Sequence, residues 1–208
     1  MRWTTAWRRL WPTCCAFCGE PQALPVCLPC RDDLPWLEPV FALEPFVAAV
    51  APLAYAFPVD AAIKRLKFRR RLFYVPAFAR LLQGAMDSLP HDVDALQPMP
   101  LHWRRQALRG FNQAAEIARG LQLPTGLPVL DNVIRCRHTP FQSGLIAAQR
   151  RRNLRGAFRV RGTIRSRHVL IVDDVITTGA SCRQLAEMLL EAGVPAVSVL
   201  AIARVPAR

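Results

Sequence analysis

The sequence predicts an α/β protein with a mainly parallel sheet flanked by helices, preceded by a small zinc-ribbon-like module at the amino terminus. An apolar run at residues 169–172 precedes a small-residue turn and a periodic helix, as in a strand buried on both faces that continues into a helix. Strand-like and helix-like segments alternate through residues 95–203, which favours βαβ units. Two closely spaced cysteine pairs lie before residue 31 and indicate the separate module.

The amino-terminal module is predicted over residues 1–38, and the main domain over residues 39–208. Two C-x2-C pairs across a short, turn-rich gap can place four thiolates tetrahedrally around one Zn²⁺. In a reducing cytoplasm zinc is favoured over two disulfides, and four protein ligands make the site structural. The predicted ligands are Cys15, Cys18, Cys27 and Cys30, although Cys14 can take the place of Cys15 on sequence grounds.

Between the module and the middle of the chain the pattern changes three times. Frequent prolines at 31–58 predict a linker that enters the main domain. Asp60 is placed to cap a helix that carries Ile63 and Leu66, because aspartate side chains accept from the first helical N–H groups. A second helix is expected at about 77–89, and a first buried strand at 95–101.

The remaining segments complete the alternation. A helix is expected at 112–121, short strands at 133–136 and 157–160, and a final buried strand at 196–203. The segment 138–155 between the two short strands is long and polar. Loops of that length inside compact domains are usually functional, which predicts a lid there.

The segment 168–181, HVLIVDDVITTGAS, carries the strongest functional signal. Asp173 and Asp174 are expected at the carboxyl end of the strand, and the following helix packs through Leu185 and Leu189 and stops near Gly193. Such a turn lies at the crevice where open α/β sheets bind ligands. Its N–H groups and the helix N-terminus would face an anion, so a phosphate is the expected guest.

This turn is neither of two common phosphate loops, because no Gly-Lys-Ser/Thr follows and no G-x-G-x-x-G is present. It resembles the phosphoribosyl pyrophosphate (PRPP) loop of type I phosphoribosyltransferases. The resemblance implies that Asp173 and Asp174 hold the two ribose hydroxyls. The implied 5′-phosphate ligands are Thr177, Thr178, Gly179, Ala180 and Ser181. The alternative is an ordinary strand-to-helix connection in which Asp174 only favours the helix N-terminus.

Net charge and hydropathy indicate which classes of partner the protein can bind. The formal net charge is +13, and the basic residues are clustered at 64–71, 150–152 and 155–167. Such a chain attracts polyanions, either PRPP or nucleic acid, although each cluster can also be a solvated face. No apolar run approaches the roughly 18 residues of a membrane span. Arg8 and Arg9 lie where a signal peptide would need its apolar core, so we expect a cytoplasmic protein.

Three further segments extend the resemblance over nearly the whole chain. They are PLHWRR at 100–105, RGFNQ at 109–113, and QSGL at 142–145 leading to RRRNLRGAF at 150–158. Together with the cysteine module and the turn at 168–181, they resemble the ComF family, also called the competence-protein or GntX-type family. The resemblance implies a type I phosphoribosyltransferase fold with an amino-terminal zinc module. It also implies, for some members, a role in natural transformation and the handling of incoming DNA.

The resemblance implies displacement of pyrophosphate from C1 of PRPP by a nucleophile, with Asp173 and Asp174 as catalytic residues. Mg²⁺ would bridge pyrophosphate and ribose oxygens, since it prefers hard oxygen donors. Four arginines are the candidates for meeting the leaving pyrophosphate: Arg104 and Arg105 in the loop after the first strand, and Arg150 and Arg152 in the long segment.

The acceptor stays open. Enzymes of this type that act on hypoxanthine or guanine carry a carboxylate where this chain has Thr177, which disfavours such an acceptor. A non-catalytic PRPP-binding protein is one alternative to the enzyme. A nucleic-acid-associated competence factor, binding DNA nonspecifically or contacting the competence machinery, is another. The intact acids and glycine favour retained ligand binding, and no motif for sequence-specific reading is present. The oligomeric state is not predicted.

Overall fold

The computed structural model describes residues 14–136 and 156–206. Their strands are β1 (Ala49–Val50), β2 (Leu53–Ala54), β3 (Ala95–Pro98), β4 (Val133–Arg135), β5 (Phe158–Val160), β6 (His168–Ile176) and β7 (Ala196–Arg204). Five of them form a parallel sheet of order β1-β7-β6-β3, in which β2 continues along β7 beyond β1. The other two, β4 and β5, form a separate antiparallel pair.

Helices cover both faces of this sheet. They are α1 (Leu28–Asp32), α2 (Val59–Arg69), α3 (Tyr74–Ala85), α4 (Trp103–Arg109), α5 (Gln113–Thr125) and α6 (Ala180–Glu191), with a 3₁₀ turn at Met86–Ser88. One core cluster joins α2, α3 and α5 to one face, and a second joins α6 and β5 to the other. The predicted α/β class, with a mainly parallel sheet between helices, is therefore confirmed. Among the described residues, no helix is long and apolar enough to cross a membrane.

The apolar run of β6 explains the layering. Leu170 and Val172 belong to the core cluster under α2 and α3, whereas Val169 and Ile171 belong to the cluster under α6. Successive side chains of a strand point to opposite faces, so a run without polar residues buries both. Strand β7 lies beside β6 and is buried in the same way along most of its length.

The prediction that residues 31–58 form a linker is wrong. Strands β1 and β2 arise within this stretch and pair with β7. Trp36 and Val40 in turn form antiparallel bridges to Leu53 and Val50. The physical reason is that an open sheet edge offers unpaired N–H and C=O groups to any extended chain. Prolines are tolerated there because the outermost segment need not donate from every residue.

Three other local expectations are corrected, at α2, β3 and α4. Helix α2 begins at Val59 after Pro58, so Asp60 lies in its first turn, where it accepts from Ala61 N at 2.7 Å and pairs with Lys64 at 2.6 Å. Asp60 therefore stabilises the helix end without being its cap. The predicted strand at 95–101 ends at Pro98, and the loop expected at 104–105 is helix α4.

The cysteine-bearing segment packs on the main core. Val26 and Leu34 belong to the same buried cluster as Tyr74 of α3, and the ring of Phe17 lies 6.0 Å from that of Tyr74. Apolar contact thus continues across the predicted boundary between residues 38 and 39. The division into two domains stays a prediction, and the contacts indicate that the two parts stabilise each other.

A hydrogen-bonded chain of buried Ser198, buried His168 and exposed Asp92 joins the amino-terminal ends of the strands. His168 Nδ1 lies 2.8 Å from Asp92 Oδ1 and Nε2 lies 2.9 Å from Ser198 Oγ, which also accepts from Ala48 N at 3.2 Å. These partners are satisfied when Ser198 donates to Nε2 and Nδ1–H donates to Asp92. Ser198 has no solvent exposure. These hydrogen bonds therefore connect neighbouring strands, and the Ser198 hydroxyl is not accessible as a nucleophile.

We expect Ser198→Ala to lower the free energy of unfolding by about 1–3 kcal/mol, because it leaves His168 and Ala48 without a buried partner. Urea denaturation of the purified protein measures the loss. Ser166→Ala is the control, since Ser166 lies in the turn before β6 and outside the buried core. An unchanged midpoint in Ser198→Ala would contradict the assigned hydrogen bonds.

Candidate functional site

The two acids of the 168–181 segment lie inside β6, not after it as expected. The strand continues to Ile176, with Asp173 paired to Ala201 and Val175 to Ala203. Alternation along the strand therefore separates the two carboxylates. Asp173 Oδ2 faces the thiol of Cys182 in α6 at 3.7 Å, whereas Asp174 Oδ2 pairs with Lys67 Nζ of α2 at 2.7 Å on the other side.

Burial dominates the electrostatics of Asp173. Its removal from solvent, reinforced by the neighbouring charge of Asp174, raises the pKa of Asp173 to about 7, although Lys67 acts against this shift. Its Oδ1 accepts from the backbone N–H of Asp174 at 2.8 Å. A carboxylate with a pKa in this range is half-ionised near neutral pH, so a cation or a hydroxyl donor at this place changes its protonation state.

The turn after β6 leads directly into the N-terminus of α6. Gly179 precedes the helix in the left-handed conformation at φ 72° and provides no side-chain cap. Thr178 Oγ1 lies 3.4 Å from Ala180 N, and Thr177 and Thr178 are exposed. The first N–H groups of a helix lack helical partners and carry partial positive charge. Hydroxyls and helix donors thus face the same solvent-accessible turn.

Glycine is favoured at position 179 chiefly by its backbone conformation, and secondarily by the side chain of Leu43 next to it. A residue with a Cβ is strained at this positive φ, and a Cβ built there would lie 2.9 Å from Leu43 Cδ1. The loop that carries Leu43 is itself held to α6, because Arg183 Nε donates to Glu44 O at 3.1 Å. The predicted linker segment therefore supports the turn from outside.

Cations from three distant segments converge on the acids, and sequence reasoning gave none of them this role. Lys67 of α2 pairs with Asp174 and is 19% exposed. Burial lowers the pKa of Arg109, while the negative charge of Asp174 acts to raise it. Burial also lowers the pKa of Arg135, an effect to which the charge of Arg105 adds and which the charge of Asp173 opposes. Arg109 belongs to the RGFNQ segment and Lys67 to the basic cluster at 64–71, so both lie in segments that the sequence had marked, whereas no local pattern marks Arg135.

The RGFNQ segment is a helix-to-helix corner that positions Arg109. Gly110 ends α4 in the left-handed conformation, and Asn112 caps α5 through its Oδ1 while its Nδ2 donates to Met99 O at 3.0 Å. Arg109 donates to Gln113 at 3.1 Å and covers the ring of Phe68 at 5.2 Å. The corner thus connects the loop after β3, helix α5 and the end of α2.

The four arginines predicted to meet pyrophosphate are not equivalent. Arg105 is half-buried, and its charge contributes to the lowered pKa of both Arg109 and Arg135. Arg104 is exposed and lies over Trp103 at 5.3 Å. Arg150 and Arg152, with the predicted lid, lie outside the described residues.

The four predicted zinc ligands lie together. The sulfur atoms of Cys15, Cys18, Cys27 and Cys30 are all within 4.8 Å of one another, and Cys14 is not part of the group. The Cys18 and Cys27 sulfurs are 3.7 Å apart. Sulfurs that bond one Zn²⁺ tetrahedrally at the usual length are about 3.8 Å apart. The group can therefore hold zinc, and Cys15 is the geometrically suitable member of the Cys14–Cys15 pair.

The backbone prepares Cys15 to be a thiolate ligand. Burial acts to raise its pKa, but the N–H groups of Cys18, Cys27 and Phe17 outweigh burial and bring the pKa to about 6. Two of these donors lie 3.4 Å from the sulfur. Such N–H contacts are the second layer that commonly supports metal-bound sulfur.

Comparison with curated proteins finds relatives over most of the chain. Competence protein F of Haemophilus influenzae is 35% identical over 159 residues, covering 72% of this chain and 69% of that protein. DNA utilization protein YhgH of Escherichia coli K12 is 35% identical over 204 residues, covering 92% and 84%. Competence protein ComFC of Bacillus subtilis is 27% identical over 185 residues, covering 86% and 72%. No family model matches the chain.

Comparison with solved structures gives weaker likenesses. A structure described as the allosteric regulatory enzyme of purine biosynthesis aligns with TM-score 0.40 and 23% identity over 62% of this chain and 25% of that one. A structure from an analysis of an invariant aspartic acid in HPRTs, the asparagine mutant, aligns with TM-score 0.35 and 17% identity over 65% and 74%. The fold itself is defined by the parallel strand order and by the burial of both faces of the sheet.

Proposed function

The chain belongs to the ComF family, and from this premise we propose that it binds PRPP and transfers the phosphoribosyl group to an acceptor with release of pyrophosphate. The observation that supports the proposal is the meeting of three features at one end of β6. These are the uncapped N-terminus of α6, the acids Asp173 and Asp174, and the cations Lys67, Arg109 and Arg135. PRPP needs an anion site, a hydroxyl site and a polycation site in that proximity.

The anion site is suited to the 5′-phosphate. The turn offers hydrogen-bond donors from the hydroxyls of Thr177, Thr178 and Ser181 and from the first N–H groups of α6. The segment 177–181 itself contains no acidic residue that would repel a phosphate. Helix N-termini bind phosphate because donors and dipole act together. Gly179 lets the backbone approach the phosphate closely, and Ala180 adds no bulk there.

The acids and cations have complementary tasks. Ionised Asp173 and Asp174 accept hydrogen bonds from the ribose hydroxyls, and Asp174 can keep Lys67 on Oδ2 while Oδ1 accepts. When bound with PRPP, Mg²⁺ would neutralise part of the charge on the pyrophosphate, since it prefers hard oxygen donors. Arg105, Arg109 and Arg135 provide the positive field for the leaving pyrophosphate.

The transfer exchanges one bond for another at C1 of the ribose. The C1–O bond to pyrophosphate breaks and its electron pair leaves with the pyrophosphate, while a lone pair of the acceptor forms the new bond and the acceptor's proton passes to solvent. Positive charge develops on the ribose ring in such a transition state. The carboxylates beside the ribose stabilise that charge, and the arginines stabilise the opposite charge on the leaving group.

Calorimetry with PRPP and Mg²⁺ tests the proposal, with ribose 5-phosphate and with pyrophosphate as separate titrants. We expect PRPP to bind more tightly than either part, because it occupies both sites at once. A pyrophosphate-release assay over an acceptor panel then tests transfer. Tight PRPP binding without release for any acceptor would favour the non-catalytic PRPP-binding alternative, and absence of PRPP binding would overturn the proposal.

A second role in handling DNA is favoured by a specific surface. Several curated relatives are named DNA utilization proteins, and the end of α2 presents Arg69, Arg70 and Arg71 to solvent beside Phe68, which is 70% exposed. Arginine and an exposed aromatic ring suit nucleic acid, through phosphate contacts and base stacking. We propose that any DNA binding occurs here and depends weakly on sequence.

We expect replacement of Arg69, Arg70 and Arg71 by glutamine to weaken DNA binding about equally for two unrelated sequences. The affinity of the wild type should fall steeply with salt, and the slope should drop by about 0.7–0.9 for each phosphate that the variant no longer neutralises. Fluorescence anisotropy from 50 mM to 200 mM salt measures both. A matched control replaces the exposed Arg31, Arg80 and Arg165. Equal losses in both triple variants, or a flat salt dependence, would contradict the proposed surface.

A further inference from the structure

The four sulfur ligands of the predicted zinc site differ in their exposure to solvent. Cys15 and Cys27 are buried, Cys30 is half-buried, and Cys18 is exposed. The thiolate is the nucleophile in cysteine chemistry, so exposure determines which zinc-bound sulfur a reagent in solution can reach. Cys18 is therefore the ligand at which this otherwise closed site is open to solvent chemistry.

Backbone N–H groups stabilise the two buried sulfurs. Phe17 N and Cys27 N each lie 3.4 Å from Cys15 Sγ. Cys30 N lies 3.4 Å from Cys27 Sγ. A hydrogen bond to a thiolate draws electron density from the sulfur and makes it a weaker nucleophile. Within residues 14–136 and 156–206 no N–H group donates to Cys18 Sγ, whose neighbour is Cys27 Sγ at 3.7 Å. Exposure and the lack of a backbone donor thus single out the same sulfur.

We propose that Cys18 is an oxidation site, at which a hydroperoxide converts the zinc-bound thiolates of Cys18 and Cys27 into a disulfide and releases the metal. Cys27 is the partner because its sulfur lies 3.7 Å from that of Cys18, so that a small movement brings the two together once the metal bonds weaken. The proposal concerns the zinc module alone and does not depend on PRPP binding.

The reaction balances with hydrogen peroxide as the oxidant. The Cys18 sulfur attacks one peroxide oxygen, the O–O bond breaks, and hydroxide leaves, which gives a sulfenic acid on Cys18. The Cys27 thiolate then attacks the Cys18 sulfur, so that the S–S bond forms while the S–O bond breaks and a second hydroxide leaves. The two sulfurs lose two electrons, and both hydroxides take protons from solvent to become water. Zinc leaves because two of its four ligands are no longer thiolates.

Oxidation at this place acts on the main core. Phe17 precedes Cys18, and its ring lies 6.0 Å from that of Tyr74. Val26 precedes Cys27 and belongs to the same buried cluster as Tyr74. Zinc binding is coupled to folding in small metal sites, so release of the metal loosens both contacts. Thiols reduce a disulfide again, which makes the change reversible: peroxide lowers the stability of the chain, and reductant with zinc restores it.

Limiting hydrogen peroxide added to the zinc-loaded full chain tests the proposal. A chromogenic chelator follows zinc release, and mass spectrometry after alkylation maps the disulfides. We expect a Cys18–Cys27 disulfide to form at the rate of zinc release, with a fall in melting temperature that dithiothreitol and Zn²⁺ reverse. Zinc release without oxidation of Cys18, or a first disulfide between other cysteines, would overturn the proposal. Protein that holds no zinc before oxidant is added would overturn it too, and would leave the PRPP proposal untouched.

Cys18→His and Cys30→His are a matched pair of variants, because histidine is an alternative zinc ligand and each variant keeps four ligands. Cys18→His should slow peroxide-driven zinc release by about tenfold or more, since it removes the exposed thiolate. Cys30→His should release zinc about as fast as the wild type. Cys14→Ser removes the neighbouring thiol outside the group and should also keep the wild-type rate. Equal slowing in both histidine variants, or slowing in Cys14→Ser alone, would contradict the assignment of Cys18.

Discussion

Asp173→Asn is expected to weaken binding of PRPP with Mg²⁺ by about 10- to 100-fold, the range for losing a hydrogen bond to a charged group. The same change is expected to stabilise the folded protein at pH 8. Burial, reinforced by Asp174, raises the pKa of Asp173 to about 7, so its charged form is unfavourable in the free protein. Asparagine removes the buried charge and keeps the shape. A loss of PRPP affinity without a loss of folding stability would show that Asp173 acts in binding and is not needed for folding.

The pH dependence has opposite signs for stability and for binding. Because the folded pKa of about 7 lies above the ordinary value of 3.8, the folded state holds the extra proton between these values. The wild type therefore loses stability relative to Asp173→Asn as pH rises from 4 to 7, and the difference is constant above about pH 8. PRPP affinity of the wild type should instead increase through pH 7, as Asp173 becomes ionised. Thermal unfolding and calorimetry at pH 5 and pH 8 measure both trends.

Asp174→Asn should behave differently. It also weakens PRPP binding, but it leaves Lys67, only 19% exposed, without its ion-pair partner, and breaking a largely buried pair destabilises. Asp87→Asn, at an exposed position in the 3₁₀ turn, is the control for both variants. Wild-type PRPP affinity in Asp173→Asn and Asp174→Asn would remove the central claim about the site.

Cys15→Ser is expected to abolish stoichiometric zinc, whereas Cys14→Ser should retain about one equivalent per chain. The two neighbouring residues have the same side chain, but the sulfur of Cys15 lies within the four-sulfur group and that of Cys14 does not. Structural zinc contributes about 10–16 kcal/mol of binding free energy to small domains, so the loss of one ligand should be evident. Metal analysis of protein purified without added zinc measures it. Zinc-free wild type with four free thiols, or equal zinc in both variants, would contradict the assignment.

The effect of zinc loss should spread from the module in a definite order. Val26, Leu34 and Phe17 contact the cluster around Tyr74, so Cys15→Ser should lower the melting temperature of the whole chain. PRPP binding should be lost later, because the acids and the N-terminus of α6 belong to β6 and its continuation and not to residues 14–38. Hydrogen exchange would show early opening at residues 14–38. Simultaneous loss of PRPP binding at low temperature would show that the module supports the site directly.

Much of the fold and part of the site were predictable because they depend on short-range pattern. The apolar run before Asp173 required a strand buried on both faces, and the helix after Gly179 followed from its period. The doubled C-x2-C spacing brought four sulfurs together, as predicted. The boundaries were less predictable: β6 continues past the acids because pairing with β7 continues to Arg204, and pairing depends on a partner strand that local sequence does not contain.

The tertiary structure alone decided which side chains meet. Lys67, Arg109 and Arg135 come from α2, the α4–α5 corner and β4, and only the packing of these elements around β6 brings their charges to Asp173 and Asp174. Periodicity says which face of a strand or helix is buried, but Coulomb energy depends on distance and burial in space. The local motif therefore identified the anion site and the acids, while the cations that complete it were set by long-range packing.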